Sequence, residues 1–239
     1  MIIAEKLVTV AENEQRVYEA GQKSEWSAFW DTYQENGART TYSYCFSGYG
    51  WNKNTFKPKY DIRPKMASYM FAMNAISDLK RFLNECGVEL DFSKCTDFPY
   101  AFQQSEITNI GVVDTTSASS LEYAFYRASK LKNIDKLILK SDGSQKFNNN
   151  YSFGQCSKLE NMIVEGCIGM SFNVQASPLN VASIKSIIAA LKDYSQTSKN
   201  LVYTVYFSNA CWEALEADSE IPPNGSTWKD YVMSKGWNT

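Results

Sequence analysis

The stretch YAFYRASKLKNIDKLIL, residues 123–139, decides the fold. It places Phe125, Leu131 and Ile134 in a pattern that recurs on both sides. Downstream, YSFGQCSKLENMIV (151–164) places Phe153, Leu159 and Met162; upstream, YAFQQSEITNIGVV (100–113) places Phe102, Ile107 and Ile110. A further copy, YMFAMNAISDL (69–79), carries Phe71, Ile76 and Leu79, and a degenerate one, MSFNVQASPLNV (170–181), carries Phe172 and Leu179. The Phe-to-Phe steps are 31, 23, 28 and 19 residues, whereas the gap from Phe to the next Leu or Ile stays at 5, 5, 6, 6 and 7. Constant inner spacing with elastic outer spacing is the mark of stacked coils. Each coil sets the same anchors in a shared core, and insertions go to the exposed edges. One coil cannot bury its apolar side alone, so its neighbours must repeat the same apolar residues. An ordinary globular α/β fold with coincidental Phe spacing is the competing explanation.

In this scheme Phe fills the convex side of the core and the Leu-x-x-Ile segment forms a short strand. A resemblance of these phrases to leucine-rich solenoids implies that its first and fourth residues point inward; strict alternation would not do this, so a bend at the strand start is implied as well. Aligning the copies brings a polar column into line: Asp78, Asn109, Asn133 and Asn161. Their neighbours Ser77, Thr108, Lys132 and Glu160 vary in charge. Both columns are candidates for a partner-contact surface. Asx residues also form ladders that satisfy backbone groups at each turn, and this role suits the Asp/Asn column better. The variable column is then the better contact surface.

Outward from the repeats, residues 3–22 read as a helix with Ile3, Leu7, Val10, Val17 and Gly21 on a heptad seam interrupted by Glu14. Self-association through this helix and packing on the chain's own domain are equally compatible with it. Ser24 to Gly37 reads as a capped helix with Trp26, Phe29 and Trp30 on one face. The aromatic, turn-rich segment that follows holds Tyr42, Tyr44, Tyr49, Trp51 and Tyr60, which are candidates for partner contact or for sealing the first coil. At the C-terminal end, the pattern predicts a helix over 181–191, a strand over 201–207, a helix capped by Ser208 or Asn209, and a last helix capped by Thr227. Such ends would cover a core that an open coil exposes.

The phrases AFYRASKLKNI and SFGQCSKLENM resemble the BspA-like leucine-rich repeat of gut bacterial surface proteins and of phages that infect gut bacteria. The segment AEKLVTVAENEQRVYEAG is similar to an N-terminal segment recurring in such phage and prophage proteins, and the SIKSIIAALKDYS-to-KGW ending is similar as well. The resemblance covers residues 1–22 and 66–239. It implies a right-handed solenoid with a sheet along one face and a role in adhesion. Only Cys156 keeps the repeat cysteine; Ala128 and Ser105 lie near its equivalents. Binding residues are not fixed in this family, so none carries over.

The totals narrow the chemistry. The 239 residues are 44% hydrophobic and carry 24 Lys and Arg against 26 Asp and Glu, a net of −2, so an electrostatic hold on nucleic acid is not expected. Histidine is absent, which removes every His-based triad and the common His zinc sites. The six cysteines form no C-x-x-C pair and read as buried thiols, with one disulfide left open. No phosphate-binding glycine motif or nucleophile elbow occurs. The acid pairs Asp91 with Asp97 and Glu216 with Asp218 fall in loops, where solvated surface is the ordinary role. No Sec-type signal is visible at the N-terminus, and no run reaches the roughly 18 apolar residues of a membrane span.

The expectation is therefore an α/β repeat: a short leucine-rich-repeat solenoid over 66–180 with a one-face parallel sheet. An N-terminal helix (1–22), an aromatic-rich cap (23–65) and a mixed α/β C-terminal cap (181–239) flank it. The expected role is non-enzymatic recognition, with no cofactor. The partner would be a host cell-surface protein or glycan, and a homo-oligomer through residues 3–22 is compatible. Membrane insertion is not expected. The setting would be a phage or prophage particle, with a bacterial surface adhesin, or a carbohydrate-binding module or glycan-active enzyme, as alternatives.

Overall fold

The computed structural model describes residues 42, 43, 46, 47, 58, 61–148, 151–197 and 203–239. The expected helices before residue 40, the seam for self-association and most of the aromatic segment lie outside these residues. The described residues form a mixed α/β structure with two small parallel sheets and four helices.

The first sheet holds β1 (Asn109–Asp114), β2 (Asn133–Ile138) and β3 (Asn161–Glu165), side by side in chain order and parallel. Register pairs Asn109 with Asn133 and Asn133 with Asn161, then Ile110 with Ile134 and Ile134 with Met162. Equivalent residues of successive phrases are therefore neighbours in space. The strands begin later than the Leu-x-x-Ile reading expects: each starts at the Asn and runs on past the Ile. Leu131 and Ile134 are both fully buried, but Leu131 reaches the core from the turn before the strand. Within β1 and β2 the buried residues stand three apart (Ile110 and Val113; Ile134 and Leu137), whereas β3 alternates strictly (Met162 and Val164). The mismatch appears as a register shift between Ile134 and Leu137 against β3, the signature of a β-bulge.

Within the core, the phenylalanines stand in a row. Ring centroids are 5.1 Å apart for Phe46–Phe71, 5.3 Å for Phe71–Phe102, 5.3 Å for Phe102–Phe125 and 4.9 Å for Phe125–Phe153, with interplanar angles of 8°, 5°, 2° and 11°. Phe172, the degenerate copy, follows at 5.5 Å but is tilted by 57°. The row thus begins one phrase earlier than expected, at Phe46. Each stacked pair contributes about 0.5–1.5 kcal/mol beyond the burial of its area. The backbone beside this row is stitched between phrases: Phe102 N–H donates to Ala124 O (2.7 Å), Gln104 N–H to Tyr126 O (2.8 Å) and Tyr100 N–H to Glu122 O (3.2 Å). The steps on either side repeat the pattern, as in Phe71 to Ala101 O (2.7 Å) and Arg127 to Gly154 O (2.8 Å).

The variable outer steps hold the insertions. The long step between Phe71 and Phe102 contains α1 (Leu79–Cys86), which the repeat pattern did not announce. Asp78 bridges to Asn109 as a strand residue would, then caps α1 by accepting from Arg81 N–H. Gly87 ends the helix at φ +68°, where a residue lacking Cβ is favoured.

The C-terminal elements match the expected order: α2 (Val181–Ala190), β5 (Tyr203–Tyr206), α3 (Asn209–Glu216), capped by Ser208, and α4 (Trp228–Ser234), capped by Thr227. Strand β5 lies between β4 (Phe172–Asn173) and β6 (Trp237–Asn238) in the second parallel sheet. Helix α2 covers the outer edge of β3. Two of its serines, one turn apart, take the place of a fourth strand: Ser183 Oγ accepts from Met162 N–H (2.9 Å) and Ser186 Oγ from Val164 N–H (3.1 Å). An otherwise open edge is thereby satisfied, which blunts edge-to-edge pairing. At the far end, Trp237 Nε1 donates to Lys192 O (2.7 Å) and Tyr194 Oη to Gly169 O (2.7 Å).

Candidate functional site

Three columns of side chains run across the phrases. The Asp/Asn column binds itself. Asn109 Nδ2 donates to Asp78 Oδ2 (2.8 Å), Asn133 to Asn109 Oδ1, Asn161 to Asn133 Oδ1 (2.6 Å) and Asn180 to Asn161 Oδ1. Every amide points its donors toward Asp78, so the ladder has a direction. It ends on helix caps at both sides: Asp78 Oδ1 accepts from Arg81 N–H (2.9 Å) and Asn180 Oδ1 from Ser183 N–H (2.8 Å). The charges agree with this polarity. The positive end of the aligned amides meets a carboxylate, and the negative end meets a helix N-terminus. Asp78, Asn109, Asn133 and Asn161 are thus committed to one another as an Asx ladder.

The variable column lies beside it and is stitched through its backbone. Thr108 N–H donates to Ser77 O (2.5 Å), Lys132 N–H to Thr108 O (2.8 Å), Glu160 N–H to Lys132 O (3.0 Å) and Asn180 N–H to Glu160 O (2.9 Å). Thr108 Oγ1 also donates to Ser77 O, and Lys132 Nζ pairs with Glu160 at 3.4 Å. Ser77 and Lys132 are exposed; Thr108 and Glu160 are half-buried. The column faces solvent but spends much of its polar capacity on itself. Where the ladder starts, a depression of about 540 Å³ is lined by charged groups of both signs, among them Asp78, Lys80, Arg81, Glu85 and Asp135. Lys80 and Asp135 pair across it at 2.5 Å, and this hydrogen bond raises the Lys80 pKa.

The third column is tyrosine, two residues before each repeat Phe. Tyr69, Tyr100, Tyr123 and Tyr151 form a surface stack. Centroids lie 4.5, 4.7 and 4.7 Å apart and interplanar angles are 3°, 14° and 9°. Tyr69, Tyr100 and Tyr123 adopt positive φ (57°, 61° and 57°), and so do Met73, Gln104, Arg127 and Gln155 two residues after each Phe. Non-glycine residues there carry strain, about 1–2 kcal/mol each, which the hydrogen bonds between phrases offset. The tyrosines of the stack are half-buried or exposed, while each Phe of the row is buried. Burial first, and then the Tyr100 phenol, push the Tyr69 pKa above its usual value.

Tyr126 joins the stack edge-on, at 90° to Tyr123 and 87° to Tyr151. Beside it, a groove of about 360 Å³ is lined by Tyr126, Tyr151, Gly154, Gln155, Asn173 and Gln175; among the described residues its lining has no ionisable group besides the phenols. The Arg127 guanidinium sits over the Tyr126 ring at 5.2 Å and is not part of the lining.

The aromatic candidates of the sequence divide differently. Tyr42 is only 3% exposed and packs into the core, its N–H donating to Met66 O (2.8 Å); burial removes it from the contact surface. Tyr44, Tyr49, Trp51 and Tyr60 lie outside the described residues. The repeat tyrosines were missed although the spacing Y-x-F stood in the four clear copies: YMF, YAF, YAF and YSF.

The acid pairs have structural partners. Asp91 Oδ1 accepts from Ser93 N–H (2.8 Å), Asp97 Oδ2 from Ser68 Oγ (2.6 Å), and Glu216 Oε1 from Trp228 N–H (2.9 Å) at the start of α4. Asp218 pairs with Lys185 at 2.6 Å, which holds its carboxyl below the usual range. Burial pushes the thiols of Cys95 and Cys156 up to about 12. Among the described residues no group of three or more Cys, Asp or Glu is placed to hold a metal ion, and no helix is long and apolar enough to cross a membrane. Comparison with protein-family models, with curated proteins and with solved structures finds no match for the chain.

Proposed function

We propose that this chain is a non-enzymatic recognition protein. Residues 66–180 form a short BspA-like leucine-rich-repeat solenoid that presents one side to a host cell surface. What supports the solenoid is the coincidence of three columns in one register: the Phe row inside, the Asx ladder at the strand starts and the tyrosine stack outside. The observation that carries the recognition role is the tyrosine stack itself. Amphipathic rings held at half exposure along a rigid scaffold suit contact with another molecule, since little side-chain entropy is lost on binding. The nearby acids serve as caps and pairs rather than as a poised acid–base couple. The setting, a phage or prophage particle, follows from the resemblance of the repeats and of the two ends.

The experiment is binding of the fluorescently labelled full chain to whole gut bacteria, with Tyr123→Ala as the comparison. Saturable binding, weakened about tenfold or more by the substitution, is expected from the loss of a central contact aromatic. Absence of binding across a broad panel of cells, or turnover of cell-surface polysaccharide, overturns the proposal.

A further inference from the structure

We infer that the groove at the end of the tyrosine stack is a binding subsite for a neutral oligosaccharide. This rests on the recognition reading and specifies its ligand.

Three features of the groove select the ligand class. First, among the described residues its lining has aromatic faces and amides but no carboxylate, ammonium or guanidinium group. A charged ligand finds no counter-ion inside it, whereas a neutral ligand rich in hydroxyls finds donors and acceptors. Second, the aromatic part is pre-formed. Tyr151 is the most exposed ring of the stack, is backed by Tyr123 at 4.7 Å, and is braced by Tyr126 at 87°. Two rings at a right angle make a corner with one apolar wall and one edge, which suits the C–H face of a sugar ring lying on Tyr151. Third, amide side chains flank the corner from separate elements: Gln155 from the turn after Phe153, Asn173 from β4 and Gln175 just beyond it. Gln155 and Gln175 are exposed. The Asn173 Oδ1 accepts from Gln175 N–H (3.0 Å), which fixes the turn that carries Gln175. Gln155, in the groove lining, is held at φ 63°, a strained conformation for a residue other than glycine. A volume of about 360 Å³ is at the small end of ligand sites, room for a short saccharide and not for a folded partner.

The test uses the full chain on a printed array of neutral hexose and N-acetylhexosamine oligosaccharides, with sialylated and sulfated ones alongside. The best neutral binder is then titrated against Gln155→Gly and Gln175→Ala. Gln155→Gly removes the amide while placing glycine at a positive φ it favours, so a loss of binding is not a loss of fold. Gln175 is exposed, which gives a second variant with no packing to lose. Neutral glycans should bind, and each variant should bind about tenfold more weakly with a melting temperature no lower than that of the parent. No bound glycan, preference for sialylated or sulfated glycans, or unchanged affinity in both variants overturns the inference. If whole-cell binding persists in that case, the glycan class falls and the recognition reading stands. If whole-cell binding is absent too, both fall.

Discussion

The direction of the Asx ladder leads to a prediction with a built-in rescue. Asp78 uses its two oxygens for two tasks: Oδ1 caps α1 through Arg81 N–H, and Oδ2 accepts from Asn109. In Asp78→Asn a single oxygen remains for both, so one hydrogen bond is lost, about 1 kcal/mol. In Asn133→Asp the donor to Asn109 Oδ1 is replaced by a carboxylate oxygen. That removes a hydrogen bond worth about 1 kcal/mol and sets two acceptors face to face, roughly another 1 kcal/mol at the dielectric of a half-exposed site. In the double variant Asn109 can turn its amide over. Its oxygen then accepts from the new amide at position 78, and its nitrogen donates to the new carboxylate at position 133. Asn161 still donates to the other oxygen of that carboxylate. Independent effects would sum to about 3 kcal/mol, whereas the reversed ladder leaves a loss of about 1 kcal/mol or less. Urea unfolding at constant m value, with midpoints for the four proteins, measures the coupling. Additivity within about 0.5 kcal/mol would refute the reasoning, because it would mean that the amides do not act as one directed chain.

Other consequences follow from single sites. Ser105 Oγ is buried and has no hydrogen-bond partner in the column where Cys156 donates to Phe125 O, so Ser105→Ala should raise stability by about 1 kcal/mol in the same unfolding assay. Replacing both Ser183 and Ser186 by Ala strips two acceptors from the β3 edge. It should lower stability by about 2 kcal/mol and increase aggregation seen by light scattering. The thiols of Cys95 and Cys156, pushed up to about 12 by burial, should resist maleimide labelling in the folded protein at mildly alkaline pH and react once it is unfolded in guanidinium. With folded values above the ordinary 9.0, these two thiols contribute full stability below pH 9. That contribution should fade as pH rises through 9 toward 12, which alkaline unfolding midpoints would record.

The parts of this fold that were legible in the sequence are those that each phrase repeats. Phe102, Phe125 and Phe153 recur because the core demands them, and the Asn at 109, 133 and 161 recurs because each amide needs the next. The C-terminal helices were legible for a local reason: Ser208 and Thr227 are cap residues whose chemistry is short-range. Helix α1 was not legible. LKRFLNEC sits inside a repeat step, and its start is set by Asp78, whose place in the polar column masked its role as a cap. The Tyr column is spelled out in the Y-x-F spacing, but the denser aromatic cluster at residues 42–60 outweighs it in composition. Ser183 and Ser186 show the remaining gap. A serine on a helix serves several roles, and only the nearness of β3 reveals that these two complete a strand edge. The groove at Tyr126 and Tyr151 is hidden for the same reason, since Asn173 and Gln175 reach it from a different phrase.

The central claim is that successive phrases stack in register and share one interior. Duplicating residues 125–152 in tandem tests it most directly, because the insert runs from one row Phe to the residue before the next. Stacked coils accept the extra copy: Phe125 meets its own duplicate as it now meets Phe153, and Asn133 meets its duplicate as it now meets Asn161. The account predicts a cooperative thermal transition at a temperature no lower than that of the parent, since each interface adds to the stability of a repeat array. Loss of the transition, with an unfolded or aggregated chain, would contradict it.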